Sequence, residues 1–596
     1  MSDYHAREQF KNQANTDVTI KAATTSKTMQ SRTTRGLLSG AGLLALCGLL
    51  LTLSFPSWLP RGVAWLVSLV ALVPWGICII RRPMNWKWVG IYYLFGLLWF
   101  CTNLYWLFWL TAGGTIGLSF FCAIWVALAA WGTQRIMFHL RWPGMVAIPL
   151  VWVACEYLRG TVLSGFPWFL LGNAMTGNTV LLQMADIFGV WGVSFFAAMT
   201  GGWIVDLMRL PLVKGGRTNP RIVRLTGVYL AILAGAVAYG VFRLHQDTFA
   251  AGPKVAVVQG NIEVKADPGQ EDPNLPQSSF DKHMALTLQA AEGHPDLTVW
   301  PETMVMWPLN PEFLSKDMSR YSDYWQQVQA SGRKAEATLS AISRQTGSGL
   351  LIGSGSLVID DEIDGQEPTT VKQNLSILYT PDGGPTHPSY AKRHLVPFGE
   401  YMPFKSSWPW MQAFLLRLMP EGFVPDNEPG AEWTRLTITG RTQTWRFGTP
   451  ICYEDVMPEP SQGFVNPDGD GKRIDFLVNI SNDGWYKSVN QLDQHLQMSQ
   501  MRAVENRVPM VRSVNPGNSG FIDSCGRIVA MVNDAGETHF VAGTAQWTLR
   551  LDSRVSLFSR IGDLFGVVCG VVAGLAVAWT IVRPRRKTVE AVTVAG

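Results

Sequence analysis

Eight long apolar runs, seven of them consecutive, constrain this chain more than any other feature. They cover roughly Leu37–Phe55, Val63–Ile80, Trp88–Leu107, Ile116–Ile136, Met145–Leu163, Leu181–Leu207, Leu225–Phe242 and Ile561–Val582. Most approach the roughly 20 residues an α-helix needs to cross a hydrocarbon layer. Inside such a layer every backbone N–H and C=O must be satisfied by the protein itself, and a helix does this locally. The expected architecture is an integral membrane α-helical bundle of about eight spans. A composition of 47% hydrophobic and 16% charged residues agrees with it. The first run has no convincing small-residue cleavage site, so it reads as a retained helix and not a signal peptide. The first ~35 residues are rich in Thr, Ser, Lys and Gln and read as a disordered tail. The chain divides into a tail (1–35), a seven-helix membrane domain (36–243), a soluble block (244–557), an eighth span (558–583) and a second tail (584–596).

The loop charges orient the bundle. Arg81, Arg82 and Lys87 follow the second run, and Arg135 and Arg141 the fourth. Arg209, Lys214, Arg217, Arg221 and Arg224 follow the sixth, and Arg583, Arg585, Arg586 and Lys587 the eighth. Loops after runs one, three and five hold only Arg61 and Arg159. Positive charge marks the cytoplasmic side, so the even-numbered loops and both termini are cytoplasmic and the soluble block lies outside. The 25 Trp residues suit membrane interfaces. A scattered net charge of +4 gives no argument for a nucleic-acid partner.

The soluble block follows different rules. KVAVVQGNI, LTVWPET, GLLIGSGSLVI, LSILYTP, WRFGTPICYE and DFLVNISND read as strands flanked by Gly, Pro or Asn. Ser279–Glu292, Arg333–Thr346 and Val489–Asn506 have helical apolar spacing. Strands interleaved with helices imply an α/β sandwich. Of eight Cys, six lie in the apolar runs, and only Cys452 and Cys525 lie in this block. Cys525 sits in DSCGR, a hairpin-like turn, whereas Cys452 ends an apolar strand, which argues against a disulfide between them. No CxxC or Cys/His spacing suggests a metal.

Three strand-end residues carry the chemistry. A thiol of reference pKa near ~8.5 is mostly protonated at neutral pH and needs help to attack. Lys392 in YAKRHLVPFGEYMP supplies positive charge beside a thiolate and an oxyanion. Glu302 in VWPET supplies a proton acceptor for Cys452 in PICYED. Alone, each is an ordinary solvated or buried residue; together at strand ends they are placed where α/β sheets present reactive groups.

VVQGN, WPET, YAKRHLVPFGEYMP and PICYED, followed by ISNDGWY, resemble the nitrilase superfamily in order and spacing. With HLVPFGEYMP and the flanking membrane helices, the chain is similar to that superfamily's membrane-embedded apolipoprotein N-acyltransferase family. The resemblance implies a nitrilase-like αββα sandwich with Cys452 as nucleophile, Glu302 as base and Lys392 as oxyanion stabiliser. It implies supporting roles for Glu400, Tyr453 and Glu454, no cofactor, and a bacterial inner membrane with the catalytic domain on the periplasmic side. The implied partners are a phospholipid acyl donor, a diacylated apolipoprotein acceptor and membrane lipids. The sequence departs from the family pattern in lacking a Trp after VQGN and in carrying Gly484 and Tyr486 where Ala and Phe are common. The alternatives are a membrane-tethered amidase using water as acceptor, or a transporter or scaffold whose outer domain has lost activity. Retention of Glu302, Lys392 and Cys452 opposes the latter, as does the lack of paired Gly/Pro-broken helices.

Several residues suit a lipid. Ser406–Gly422, with Trp410 and Phe414, reads either as a core helix or as a lid dipping into the outer leaflet. Met304, Met306 and Trp307 follow Glu302, and Trp485 lies in ISNDGWY. SGFPWFLLGN, with Trp168, would floor a lateral entrance. Glu156, Arg159 and Asp186 fall at the outward ends of runs five and six, where ionisable groups are either functional or structural pairs. Asn479 and Asn482 are expected to hold the strand end.

Overall fold

The computed structural model describes residues 39–56, 59–82, 84–214, 217–264, 272–359, 370–402, 410, 413, 416, 417, 425–440, 443–469 and 471–583. The two terminal tails and Phe414 lie outside these residues. Every apolar run is helical in its main part. Among the described residues, six helical segments are long and apolar enough to cross a membrane: Gly62–Arg81, Ala112–Leu140, Gly144–Ser164, Ala185–Arg209, Pro220–Leu244 and Leu564–Val582. Two further helices fill the first and third runs, the shorter Ser39–Ser54 and Trp86–Asn103. Ala185–Arg209 is mostly buried and central, whereas Pro220–Leu244 buries only Ile222, Tyr229 and Gly240 and presents most of its apolar surface outward.

Two runs are less continuous than their hydropathy predicts. The second divides into Arg61–Ser68 and Val73–Arg81, with Pro74 in the first turn of the second piece. Proline has no N–H to continue a helix and disfavours helical backbone in the residue before it, so it starts helices well and interrupts them. In the sixth, Asn178 caps a short helix, Thr179–Leu182, and the long helix starts at Ala185. Gly189 then breaks that helix with φ 65°. A Cβ at Gly189 would sit 2.5 Å from the Phe558 ring. The break also frees the N–H of Val190, which donates to Glu505 Oε1 at 2.7 Å.

The soluble block folds as two facing sheets. One runs Gly543–Asp552, Phe249–Gln259, Leu297–Val299, Gly349–Ile359, Thr370–Thr380, Gly384–Pro385, with Tyr390–Ala391 also paired to Thr370–Thr380. The other runs Ile528–Met531, Gly520–Ile522, Met510–Val514, Phe476–Ser481, Thr444–Gly448, Leu436–Thr439. The central strands of each sheet are parallel and buried on both faces, hence their nearly unbroken apolar sequences. Val257, Val299 and Leu351 meet Phe447, Val478 and Met510 in the core between the sheets. Leu275–Ala291 and Asp323–Thr346 cover one outer face, and Pro458–Val465 and Val489–Asn506 the other. The layering is αββα.

Val489–Asn506 is buried from Gln491 onward, Asp493 excepted, although much of it is polar. Its second face meets the membrane bundle, and the polar side chains make the joint. Gln494 Oε1 accepts from Trp168 Nε1 at 2.8 Å, and Glu505 accepts from Val190. Just past the helix, Arg507 lies 2.7 Å from Asp186, which also meets Arg243 at 2.6 Å and the Tyr239 hydroxyl at 2.7 Å. Asp186 is thus a buried clamp between the two domains.

Candidate active site

Cys452 and Glu302 stand beyond the carboxyl ends of parallel strands, and Lys392 beyond a short antiparallel one, where the chain leaves the sheets and side chains converge. After Thr444–Gly448 the chain pairs once more, Ile451 with Ile480, and turns into Cys452–Asp455. Cys452 sits at φ 51°, an uncommon region for a residue with a side chain. Asn479 Nδ2 holds the Cys452 carbonyl at 3.3 Å and that of Pro450 at 3.2 Å, the strand-end role read for Asn479. Glu454 fixes the turn. Its carboxylate accepts from Ile451 N at 2.8 Å, Tyr390 Oη at 2.7 Å, Arg393 N at 2.9 Å and His394 N at 3.0 Å. It thereby ties the Cys452 turn to the segment carrying Lys392. Burial pushes the Glu454 carboxyl up to about 7 against the pull of these donors.

Glu302 stands in the turn after Leu297–Val299, followed by Thr303 at φ 56°. A Cβ at Gly353 would lie 2.5 Å from Thr303 N and 2.7 Å from Glu302 Cα, so this turn lies flat on the neighbouring strand only because Gly353 has no side chain. Glu302 accepts from Asn374 Nδ2 at 2.6 Å and from the backbone N of Asn482 at 2.9 Å. Lys392, fully buried, follows the two-residue strand Tyr390–Ala391. Its Nζ lies 2.8 Å from Glu400 Oε2 and 3.6 Å from Glu302 Oε1. Glu400 is held in turn by Val396 N at 2.8 Å. Tyr453 packs among aromatic side chains of the bundle.

The electrostatics follow from burial and from one cation among several acids. Burial opposes the Lys392 charge, but Glu400, Cys452 and Glu302 outweigh it and hold the ammonium well above its ordinary range. Burial raises Glu302 and Lys392 only partly offsets this. Burial, then Glu302, hold the Cys452 thiol well above its ordinary value while Lys392 pulls it down. A neutral thiol beside a carboxylate of raised basicity and a fixed cation can lose its proton to that carboxylate as it attacks, with the cation stabilising the resulting oxyanion.

Sequence reasoning missed a second buried group directly behind the turn. Asp455 Oδ1 meets His495 Nε2 at 2.6 Å, and Asp483 Oδ2 meets His495 Nδ1 at 2.9 Å. Arg512 Nη1 lies 2.6 Å from Asp455, and Ser499 also bonds that carboxylate. A histidine and an arginine among buried helix and strand positions were the available signal.

The structure sorts the lipid-facing candidates. Trp168 is buried beside Trp106 and stacks on Phe166, so it forms part of the joint between domains, not an open floor. In ISNDGWY, Tyr486 and not Trp485 packs on Trp106 and into the cluster that contains Cys452. Trp307 packs edge-on to Phe280 in the outer helical layer, and Met304 is core there, so neither is brought to that cluster. Trp410 is 72% exposed. Glu156 accepts from Trp152 Nε1 at 2.9 Å and Leu171 N at 2.8 Å. Arg159 donates to the carbonyls of Phe166 at 2.8 Å and Trp168 at 2.6 Å, fixing the SGFPWF loop under the catalytic domain.

The chain matches known families over both domains. Residues 47–203 match the apolipoprotein N-acyltransferase N-terminal domain, and residues 254–551 match the carbon-nitrogen hydrolase family. An apolipoprotein N-acyltransferase of Geobacter metallireducens is 31% identical over 559 residues, covering 92% of this chain and 96% of that protein. Apolipoprotein N-acyltransferase 1 of Treponema denticola is 25% identical over 559 residues, covering 91% and 96%. Among solved structures, an amidase from Nesterenkonia sp. is 15% identical with a TM-score of 0.32, covering 54% of this chain and 97% of that one. With a membrane bundle joined to a carbon-nitrogen hydrolase domain, and relatives of this name along its length, the chain belongs to the apolipoprotein N-acyltransferase family.

Proposed function

We propose that this enzyme moves a fatty acyl chain from a phospholipid, through a thioester on Cys452, to the N-terminal amine of a diacylglyceryl-cysteine on an apolipoprotein. In the first half-reaction Glu302 takes the thiol proton as sulfur attacks the ester carbonyl, and Lys392 stabilises the tetrahedral oxyanion. Collapse breaks the acyl C–O bond. Glu302 returns the proton to the departing glycerol oxygen, and a lysophospholipid leaves. In the second half-reaction the amine attacks the thioester, Glu302 accepts its proton, and the Cys452 thiolate departs and is reprotonated. Splitting the transfer into two steps lowers each barrier. Ester to thioester to amide ends at the more stable product, so no ATP is consumed. Glu400 holds Lys392, Glu454 holds the nucleophile turn, and Tyr453 lines the acyl side.

One observation favours transfer over hydrolysis. The apolar cluster containing Cys452 and Tyr453 continues without interruption into Phe55, Phe100, Trp106 and Phe169 of the bundle. An apolar cleft between the membrane helices shares Phe55, Trp99, Phe100, Val126 and Phe169 with that cluster. A hydrolase acting on small polar amides has no use for such a path.

The orientation belongs to the same reading, with the catalytic domain (244–557) in the periplasm and both tails (1–35 and 584–596) in the cytoplasm. The basic loops meet at one end of the bundle: Gln134 Nε2 donates to the Arg82 carbonyl at 2.6 Å, and Arg221 Nη2 to that of Arg141 at 3.2 Å. The catalytic domain contacts the other end, through Trp168, Ser164 and Tyr105. That polarity is the one positive charge imposes on inner-membrane proteins.

The test is product analysis with the full-length protein in vesicles holding acyl-labelled phospholipid, with and without a diacylated lipopeptide. Label in an N-acyl lipopeptide plus an equivalent of lysophospholipid supports the reading. Label released as free fatty acid, indifferent to the lipopeptide, would establish the hydrolase instead.

A further inference from the structure

His495 has a carboxylate on each ring nitrogen. Ionised carboxylates only accept hydrogen bonds, so an imidazole that serves both must donate from both and carry a charge. Asp455 Oδ1 lies 2.6 Å from Nε2 and Asp483 Oδ2 2.9 Å from Nδ1. The one other charged group facing this pair among the described residues is Arg512, 2.6 Å from Asp455 and 3.8 Å from Asp483. Ser499 bonds Asp455, Ser481 Oγ donates to Asp483 Oδ1 at 2.7 Å, and the Trp168 ring of the bundle packs 5.9 Å from the imidazole. Two acids and two cations make a neutral quartet with every member buried.

Its position gives it a role. Asp455 ends the turn that begins at Cys452. Asp483 follows Asn482, whose N–H holds Glu302 at 2.9 Å, and Asp483 also contributes to the field at the thiol. On the Cys452 side the remaining charges are Glu302, Lys392 and Glu400. We propose that His495 is a fixed imidazolium and a positioning residue for the acyl-transfer site. It locks the nucleophile turn and the turn that holds Glu302 into one register, and together with Arg512 it cancels the charge of Asp455 and Asp483 behind the thiol. The inference rests on Cys452 being the nucleophile. It adds that the thiol's reactivity depends on a cation with no contact to substrate.

The test is the rate of alkylation of Cys452 by iodoacetamide at pH 7, where His495 carries its proton, read at the Cys452 peptide by mass spectrometry on the full-length protein in detergent. A neutral His495→Gln leaves an uncompensated acid behind the thiol, and its alkylation should slow by about tenfold or more, the scale of a nearby unpaired charge. The charge-balanced double variant His495→Gln/Asp483→Asn should return the rate to the wild-type value. A merely structural histidine would leave the rate unmoved in both variants, and that result overturns the proposal. Should His495→Gln not fold, Asp483→Asn alone reads the same quantity. It leaves the quartet one charge positive and should speed alkylation, and an unchanged or slower rate overturns the proposal. Failure of the underlying reading looks different: Cys452→Ala protein would still transfer acyl groups.

Discussion

The ion clusters at Asp186 and at Cys452 are both buried, and they differ in how many counter-charges each carboxylate meets. Asp186 faces two guanidiniums, Arg507 at 2.7 Å and Arg243 at 2.6 Å, and accepts the Tyr239 hydroxyl as well. Near Cys452 the ratio is reversed. Glu302 and Glu400 share the single ammonium of Lys392, which sits 2.8 Å from Glu400 and 3.6 Å from Glu302. Glu302 is left under-neutralised in a buried place, and its carboxyl is raised above the ordinary range by burial. A saturated carboxylate holds two domains together. A carboxylate short of counter-charge beside a thiol is a proton acceptor.

Substitutions should separate the two clusters. Cys452→Ala should abolish acyl transfer with no loss of folding, since no other side chain replaces the sulfur. Glu302→Gln should slow acylation by roughly 10²–10⁴-fold, and Lys392→Met by at least about 10²-fold, measured as single-turnover release of lysophospholipid. Asp186→Asn should behave oppositely. Removing one partner of a buried ion pair costs on the order of 3–5 kcal/mol, so the unfolding midpoint in detergent should fall while turnover per folded molecule stays near wild type. If Asp186→Asn instead lowered turnover as much as Glu302→Gln at unchanged stability, the distinction would be void.

A pH series sharpens the comparison further. Burial opposes charge on His495, yet Asp455 and Asp483 raise it from 6.5 to about 9. A folded value above the unfolded one stabilises fully below pH 6.5 and is lost as pH rises through about 9. The thermal midpoint of the wild type should therefore decline between those limits more steeply than that of His495→Gln. Trp410→Ser should have the smallest effect. The side chain is 72% exposed, so stability should change by no more than about 0.5 kcal/mol. A lid would then show itself as a few-fold slower use of phospholipid in vesicles and unchanged alkylation of Cys452.

What the sequence disclosed depended on how local each signal was. The helix Val489–Asn506 has the bounds its apolar spacing indicates, and the apolar segments of the soluble block all became strands. The membrane runs were visible because twenty apolar residues in a row have few other uses. The break at Gly189 was not, because it bends its helix to suit Phe558 and Glu505, which lie far along the chain. Cys452, Lys392 and Glu302 were picked out by their order along strand ends. The His495 quartet was hidden because its members lie apart, Asp455 and His495 by 40 positions and Asp455 and Arg512 by 57. Only the pairing of Thr444–Gly448, Phe476–Ser481 and Met510–Val514 in one sheet, with Val489–Asn506 packed on it, brings them together. Trp307 is close to Glu302 in sequence, yet the chain between them carries it to the outer helical layer, where it packs on Phe280.

The most direct measurement of the central claim is the intact mass of the full-length protein after incubation with phospholipid alone, followed by peptide mapping. The expected result is one acyl group on Cys452, absent from Cys452→Ala, and discharged as an amide when a diacylated lipopeptide is added. Wild-type protein that acylates the lipopeptide at full rate while Cys452 never carries an acyl group would contradict it.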